Sequence, residues 1–168
     1  NLIADLSYQK ANEFFKNQTG KEVDFSMSNY GGIRASITKG NVTVSNAFEL
    51  MPFDNTLVVV ELSYEKIQEL FAYFMARKKA HPLSNQVELK IQNKTYDVLI
   101  KGKSINKNKT YFVATSNYLQ KGGDAMNFFK NPLSMYDSNF LIRDAIMEYF
   151  KSRDTLISKL DNRIIIRN

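Results

Sequence analysis

Three short stretches carry residue types suited to holding a flat, polar ligand. The first is Asn29-Tyr30-Gly31-Gly32-Ile33-Arg34, a turn after a strand-like run. Its paired glycines allow positive φ or close approach to a ligand. Its arginine offers a planar fork of donors that matches phosphate. The second is Pro52-Phe53-Asp54-Asn55. The third is Asn117-Tyr118, followed by Gly122-Gly123-Asp124. Two aromatic rings such as Phe53 and Tyr118 can clamp a base, and stacking contributes on the order of 1–3 kcal/mol per base. An aspartate such as Asp124 can accept from both hydroxyls of a ribose. Together the parts suit a nucleoside. By spacing alone, other readings stand beside this one. In a chain with 12 Phe and 9 Tyr, Phe53 and Tyr118 also read as core rings. Asp124 also reads as an N-cap for a helix starting at Ala125.

Composition narrows the chemistry. The 168 residues suit one compact domain. No cysteine is present, so thiolate catalysis, disulfides and zinc–thiolate sites are excluded. The one histidine, His81, lies between a helix end and Pro82 and reads as a loop or capping residue. One histidine cannot supply the usual two-metal phosphatase centre. The net charge of +6 comes largely from scattered lysines, with Arg77-Lys78-Lys79 the densest run. A nucleic-acid surface needs a clustered stripe with interleaved aromatics, so no nucleic-acid partner is expected. No apolar run approaches the roughly 20 residues of a membrane span, and no signal peptide is visible. The chain starts at Asn1 within a helical pattern, and a segment upstream of it is expected.

Hydrophobic periodicity sets the elements that must position the turns. An amphipathic helix is predicted over Leu2–Lys16, with Leu2, Ile3, Leu6, Phe14 and Phe15 near one face and Gly20 as left-handed terminator. Val23–Tyr30 alternates like a half-buried strand and delivers Asn29 at its end. Short extended pieces are predicted over Ile33–Val44, then a short helix Asn46–Leu50 capped by Ser45. Leu57–Leu62 has too many consecutive apolar residues for a one-sided strand, so both faces should be covered. Ser63 caps a helix over Tyr64–Arg77 that buries Ile67, Leu70, Phe71 and Phe74. Val87–Ile91 and Tyr96–Ile100 form a hairpin about Asn93-Lys94. Lys101–Lys109 is polar connection, and Tyr111–Ser116 is a buried strand. One or two helices are predicted over Leu141–Lys159, and a final strand over Arg163–Arg167.

Four ordered motifs carry a resemblance over essentially the whole chain. Asn1-Leu2-Ile3-Ala4-Asp5, Asn29–Arg34, Met51-Pro52-Phe53-Asp54-Asn55-Thr56-Leu57, and Asn117-Tyr118-Leu119 with Gly122-Gly123-Asp124 resemble the C-terminal domain of the 5'-nucleotidases. That family includes UDP-sugar hydrolases, ecto-5'-nucleotidases and 2',3'-cyclic phosphodiesterases. The resemblance implies an α+β fold, a layered α/β/β/α domain that forms the substrate-specificity pocket over residues 1–168. Phe53 and Tyr118 would sandwich the base. Asn29 would meet the base edge, Arg34 the phosphate and Asp124 the ribose hydroxyls. Asn55 would shape the turn beside Phe53, and Gly31, Gly32, Gly122 and Gly123 would shape the loops. No catalytic or metal-binding residue is expected in this chain. Hydrolysis would fall to two divalent metals in a separate metallophosphoesterase domain or subunit, absent from these residues. A periplasmic or extracellular location is implied. The alternative is a stand-alone nucleoside- or nucleotide-binding module without catalysis. The sequence departs from the family pattern at Tyr30 and Asp54, both usually glycine. Ala125-Met126 stands where glycine and an aromatic are usual.

Overall fold

The computed structural model describes residues 1–157 and 159–167. In chain order the elements begin with α1 (Leu2–Thr19), β1 (Phe25–Ser26), α2 (Val44–Leu50), β2 (Thr56–Leu62) and α3 (Tyr64–Arg77). They continue with β3 (Val87–Gln92), β4 (Thr95–Ile100), β5 (Lys103–Ser104), β6 (Tyr111–Ser116) and α4 (Asn117–Gln120). The last are β7 (Ser134–Leu141), α5 (Ile142–Lys151) and β8 (Ile164–Ile166). One sheet has the order β1-β6-β2-β7 and the other β5-β4-β3-β8. Helices flank them, as the expected α+β layering requires.

Strand β2 sorts its apolar run between two cores. Val58, Val60 and Leu62 face a core shared with Ile67, Leu70, Phe71 and Phe74 of α3 and with Leu89, Ile91, Val98 and Ile100 of the second sheet. Leu57 and Val59 face the other core, with Ile3, Leu6, Ala11 and Phe15 of α1 and Ile142, Ala145 and Ile146 of α5. Successive strand residues point to opposite faces, so a continuous apolar run demands cover on both sides. Of the expected α1 stripe, Ile3, Leu6 and Phe15 are buried, whereas Leu2 and Phe14 are only half-buried. Gly20 ends α1 at φ 72°, where a side chain would be strained. In the β3–β4 hairpin, Asn93 and Lys94 both take positive φ, the turn that matches strand twist.

Several elements differ from the sequence-based expectation. Only Phe25 and Ser26 of the Val23–Tyr30 stretch pair as a strand, and Val23 through Met27 are all buried. The polar alternates are buried because partners satisfy them. Asp24 accepts from Phe112 N–H at 2.9 Å and from Lys109 Nζ at 2.8 Å. Ser26 Oγ donates to the Ala4 carbonyl at 2.6 Å. No strand forms over residues 33–43. Helix α2 starts two residues earlier than expected, with Thr43 at the N-cap, where its N–H donates to Asn46 Oδ1 at 2.8 Å. Ser45 lies inside the helix. β7 has no apolar signature: it is an edge strand, paired only with β2, with Met135 and Asp137 exposed. Of the one or two helices predicted over Leu141–Lys159, one is found, over Ile142–Lys151, and Ser158 lies outside the described residues. The final strand, Ile164–Ile166, sits within the predicted range.

Register brings the strand ends of the first sheet to one edge. β1 runs parallel to β6, with Phe25 opposite Val113. β2 runs antiparallel to β6, with Leu57 opposite Ser116. The turns after β1, before β2 and after β6 therefore share an edge. The β7–α5 junction joins them, since Thr56 pairs with Leu141.

Arg163 ties the end of the chain to its start. Its guanidinium donates to Asp5 (2.7 and 2.9 Å), to the Leu83 carbonyl (2.8 Å) and to Asp161. Burial opposes its charge, but hydrogen bonds to Asp161 and Asp5 outweigh that and raise its pKa. Arg163→Met removes a planar donor fork that a single ammonium cannot reproduce. A loss of about 2–3 kcal/mol in urea unfolding is expected, and Arg163→Lys should recover less than half of it.

Candidate functional site at the strand ends

Asn29, Tyr118 and Asp124 meet in one hydrogen-bonded cluster. The buried Asn29 donates through Nδ2 to Asp124 Oδ2 at 2.7 Å. The Tyr118 hydroxyl donates to Asp124 Oδ1 at 2.9 Å. The Asp124 carbonyl accepts from the Tyr73 hydroxyl at 2.9 Å. These contacts hold Asp124 at φ 54°, a left-handed conformation that aspartate tolerates better than most residues. Asp124 is not a helix cap: it sits in a 3₁₀ turn, Gly123–Ala125, that no side chain caps. A second 3₁₀ turn spans Asn127–Phe129.

Three of the four glycines are required, in two ways. Gly122 takes φ 88°, where a side chain is strained. Gly31, Gly32 and Gly123 do not take positive φ; Gly32 and Gly123 supply space, whereas a Cβ on Gly31 would make only ordinary contacts at 3.6 Å and beyond. A Cβ on Gly32 would lie 2.7 Å from Asn29 Oδ1, and one on Gly123 would lie 2.3 Å from the Tyr118 ring. Both glycines thus let the turns close onto site side chains.

The second turn reaches this cluster through the backbone. Asn117 Oδ1 accepts from Thr56 N–H at 3.2 Å, fastening the start of β2 to the end of β6. The Asn55 carbonyl accepts from Ile142 N–H at 3.0 Å. Phe53 and Tyr118 are 42% and 44% exposed, so both are accessible from solvent. Arg34 hangs at the turn margin, its Nη1 donating to the Gly31 carbonyl at 3.3 Å. A cleft of about 820 Å³ lies elsewhere, between the 37–44 segment and α5, and none of the six expected binding residues lines it. The strand-end edge, with its polar convergence, is the better candidate.

Some supporting contacts carried no sequence signal. Tyr30 is exposed, with Lys79 Nζ 4.2 Å above its ring. Its N–H donates to His81 Nδ1 at 3.2 Å. His81 is buried against Tyr73 and Phe74, so it props the first turn as a neutral acceptor. Burial, then the Lys79 charge, lowers its pKa, against the pull of Asp124. The hydrogen bond to Asp124 raises the Tyr118 pKa. Tyr73, His81 and Asn117 are remote in sequence from Asp124, Tyr30 and Thr56, the residues they bond, and only packing reveals those contacts. Among the described residues, no group of three or more His, Asp or Glu side chains is placed to hold a metal ion. No described helix is long and apolar enough to cross a membrane.

Two four-stranded sheets with flanking helices and a polar cluster at one strand-end edge define an α+β domain of the nucleotidase type. The chain belongs to the family described as "5'-nucleotidase, C-terminal domain", whose profile matches residues 1–131. It is 28% identical to the trifunctional nucleotide phosphoesterase protein YfkN of Bacillus subtilis over 98% of this chain and 12% of that protein. It is 30% identical to protein UshA of Yersinia enterocolitica over 79% of this chain and 25% of that protein. The crystal structure of a 5'-nucleotidase precursor from Thermus thermophilus superposes with a TM-score of 0.79 at 25% identity, over 99% of this chain and 35% of that one. The chain thus spans a quarter or less of these two sequence relatives.

Two predictions arise here. Ala125 takes φ 61°, a conformation that costs an L-residue about 1 kcal/mol or more. Ala125→Gly should therefore stabilise the domain by roughly 0.5–1 kcal/mol in chemical denaturation. His81 has a folded-state pKa below its unfolded value of 6.5. The unfolded chain then binds a proton that the folded chain resists, so stability falls as pH drops through that value and is unaffected well above it. Melting curves from pH 7.5 to 5.5 should show this slope, and His81→Asn should reduce it.

Proposed function

We propose that this domain is the nucleotide-recognition part of a 5'-nucleotidase-type phosphoric ester hydrolase. Phe53 and Tyr118 sandwich the base, Asn29 and Asn55 lie at its edge, Asp124 takes the ribose hydroxyls and Arg34 the phosphate. The observation that carries this reading is the Asn29–Asp124–Tyr118 cluster. Register sets it on the same sheet edge as the Phe53 turn. The cluster already holds its acceptors in place, so a bound nucleoside would be oriented with little further ordering. The metal-dependent attack on phosphorus belongs to a separate metallophosphoesterase domain or chain. This domain's residues hold and align the nucleotide for it. The family membership supports residues 1–168 as one substrate-specificity domain working on the periplasmic or extracellular side of the envelope.

Calorimetric titration with adenosine, AMP, uridine and UDP-glucose tests the reading. Phe53→Ala and Tyr118→Ala should each weaken binding about 5- to 100-fold, the equivalent of one lost stacking contact. AMP hydrolysis by this chain alone with Mn²⁺, at a rate typical of metallophosphatases, would overturn it.

A further inference from the structure

Asp54, between Phe53 and Asn55 in the chain, stands where the family pattern has glycine. Its side chain is 79% exposed, and an exposed turn carboxylate ordinarily points into water unpaired. Here it does not. Asp54 Oδ1 accepts from Arg143 Nη2 at 2.6 Å. Arg143 lies in the first turn of α5 and is only 8% exposed. Its other terminal nitrogen, Nη1, lies 3.5 Å from the Met51 carbonyl. Its guanidinium carbon sits 4.3 Å from the centre of the Phe48 ring. Its Nε is buried without a partner.

One planar cation therefore grips the turn on both sides of Phe53, at the Met51 carbonyl and at the Asp54 carboxylate. A third hydrogen bond, from Ile142 N–H to the Asn55 carbonyl, fastens the far end of the turn to the same helix start. Arginine suits this task because its donors lie in one rigid plane. An unpartnered buried Nε is costly, so nothing about the arrangement suggests that the pair exists to maximise stability.

We propose that Arg143 and Asp54 form a latch that sets the orientation of Phe53 toward the base, making both of them positioning residues for nucleoside binding. Neither touches the nucleoside. The proposal rests on the reading of Phe53 as a base-stacking ring. Asp54 replaces the conformational freedom of a glycine by a charge-anchored turn, so the ring is held before ligand arrives and less ordering is left to binding.

The test measures melting temperature and the affinity for adenosine, an uncharged probe, in this 168-residue chain and its variants. Asp54→Gly opens the latch at its exposed end. It should weaken adenosine binding about 3- to 10-fold while shifting the melting point little, as expected for a mostly exposed ion pair. Asp54→Glu, which keeps the carboxylate, should restore most of the affinity. Arg143→Lys should weaken binding, because one ammonium cannot hold both the Met51 carbonyl and the Asp54 carboxylate. Unchanged affinity in Asp54→Gly overturns the latch, as does loss of affinity that Asp54→Glu fails to restore. Phe53→Ala separates the two ideas. If it abolishes binding while Asp54→Gly does not, the clamp stands and the latch falls. If it leaves binding intact, or if the parent chain binds no nucleoside, both fall.

Discussion

The fold depends on burying strand β2 on both faces. Its side chains alternate between two cores, and neither core exists without it. One core needs α3 and the second sheet; the other needs α1 and α5. A run such as Leu57-Val58-Val59-Val60 leaves no solvated face, so helices and a second sheet must close over it. Once they do, the ends of β1, β2 and β6 are held in register. The polar turns that leave those ends have nowhere to go but a common edge.

That edge is rigid for local reasons. Asp124 takes three side-chain hydrogen bonds, two on its carboxylate and one on its carbonyl. Together they hold a backbone conformation that would otherwise be unfavourable. Strain of this kind persists only where surrounding contacts over-determine it. The glycines complete the arrangement by absence of a side chain: Gly32 admits Asn29, and Gly123 admits the Tyr118 ring. His81 contributes as a buried neutral acceptor rather than as a chemical group. The polar residues of the edge thus spend their hydrogen bonds on one another, leaving rings and carboxylate oriented toward solvent.

Charge is managed in the same way. Lys79 lies over Tyr30, Arg143 over Phe48 and against Asp54, and Arg163 between Asp5 and Asp161. In a chain with excess positive charge, these cations are tied down on rings and carboxylates. Tyr30 and Asp54 each have such a partner: Lys79 lies over the Tyr30 ring, and Arg143 meets the Asp54 carboxylate.

Much of this was legible in the sequence. The two-faced burial of β2, the α3 stripe and its Ser63 cap, and the β3–β4 hairpin follow from local pattern and turn chemistry. So does the termination of α1 at Gly20. The three polar turns were visible as well, because glycine pairs, asparagine and aromatics stand out at strand ends. What the sequence could not contain was their convergence, since strand order and register are long-range properties. Nor could it show that the Val23–Met27 segment is buried on both faces, or that polar, edge-lying β7 is a strand. Both depend on neighbours far away in the chain, such as Val113 opposite Phe25 and Tyr136 opposite Val59. The roles of Tyr73, His81, Asn117 and Arg143 were decided by tertiary structure alone. Each acts through a hydrogen bond or ion pair to a residue distant in the chain, and no local periodicity encodes such a pair.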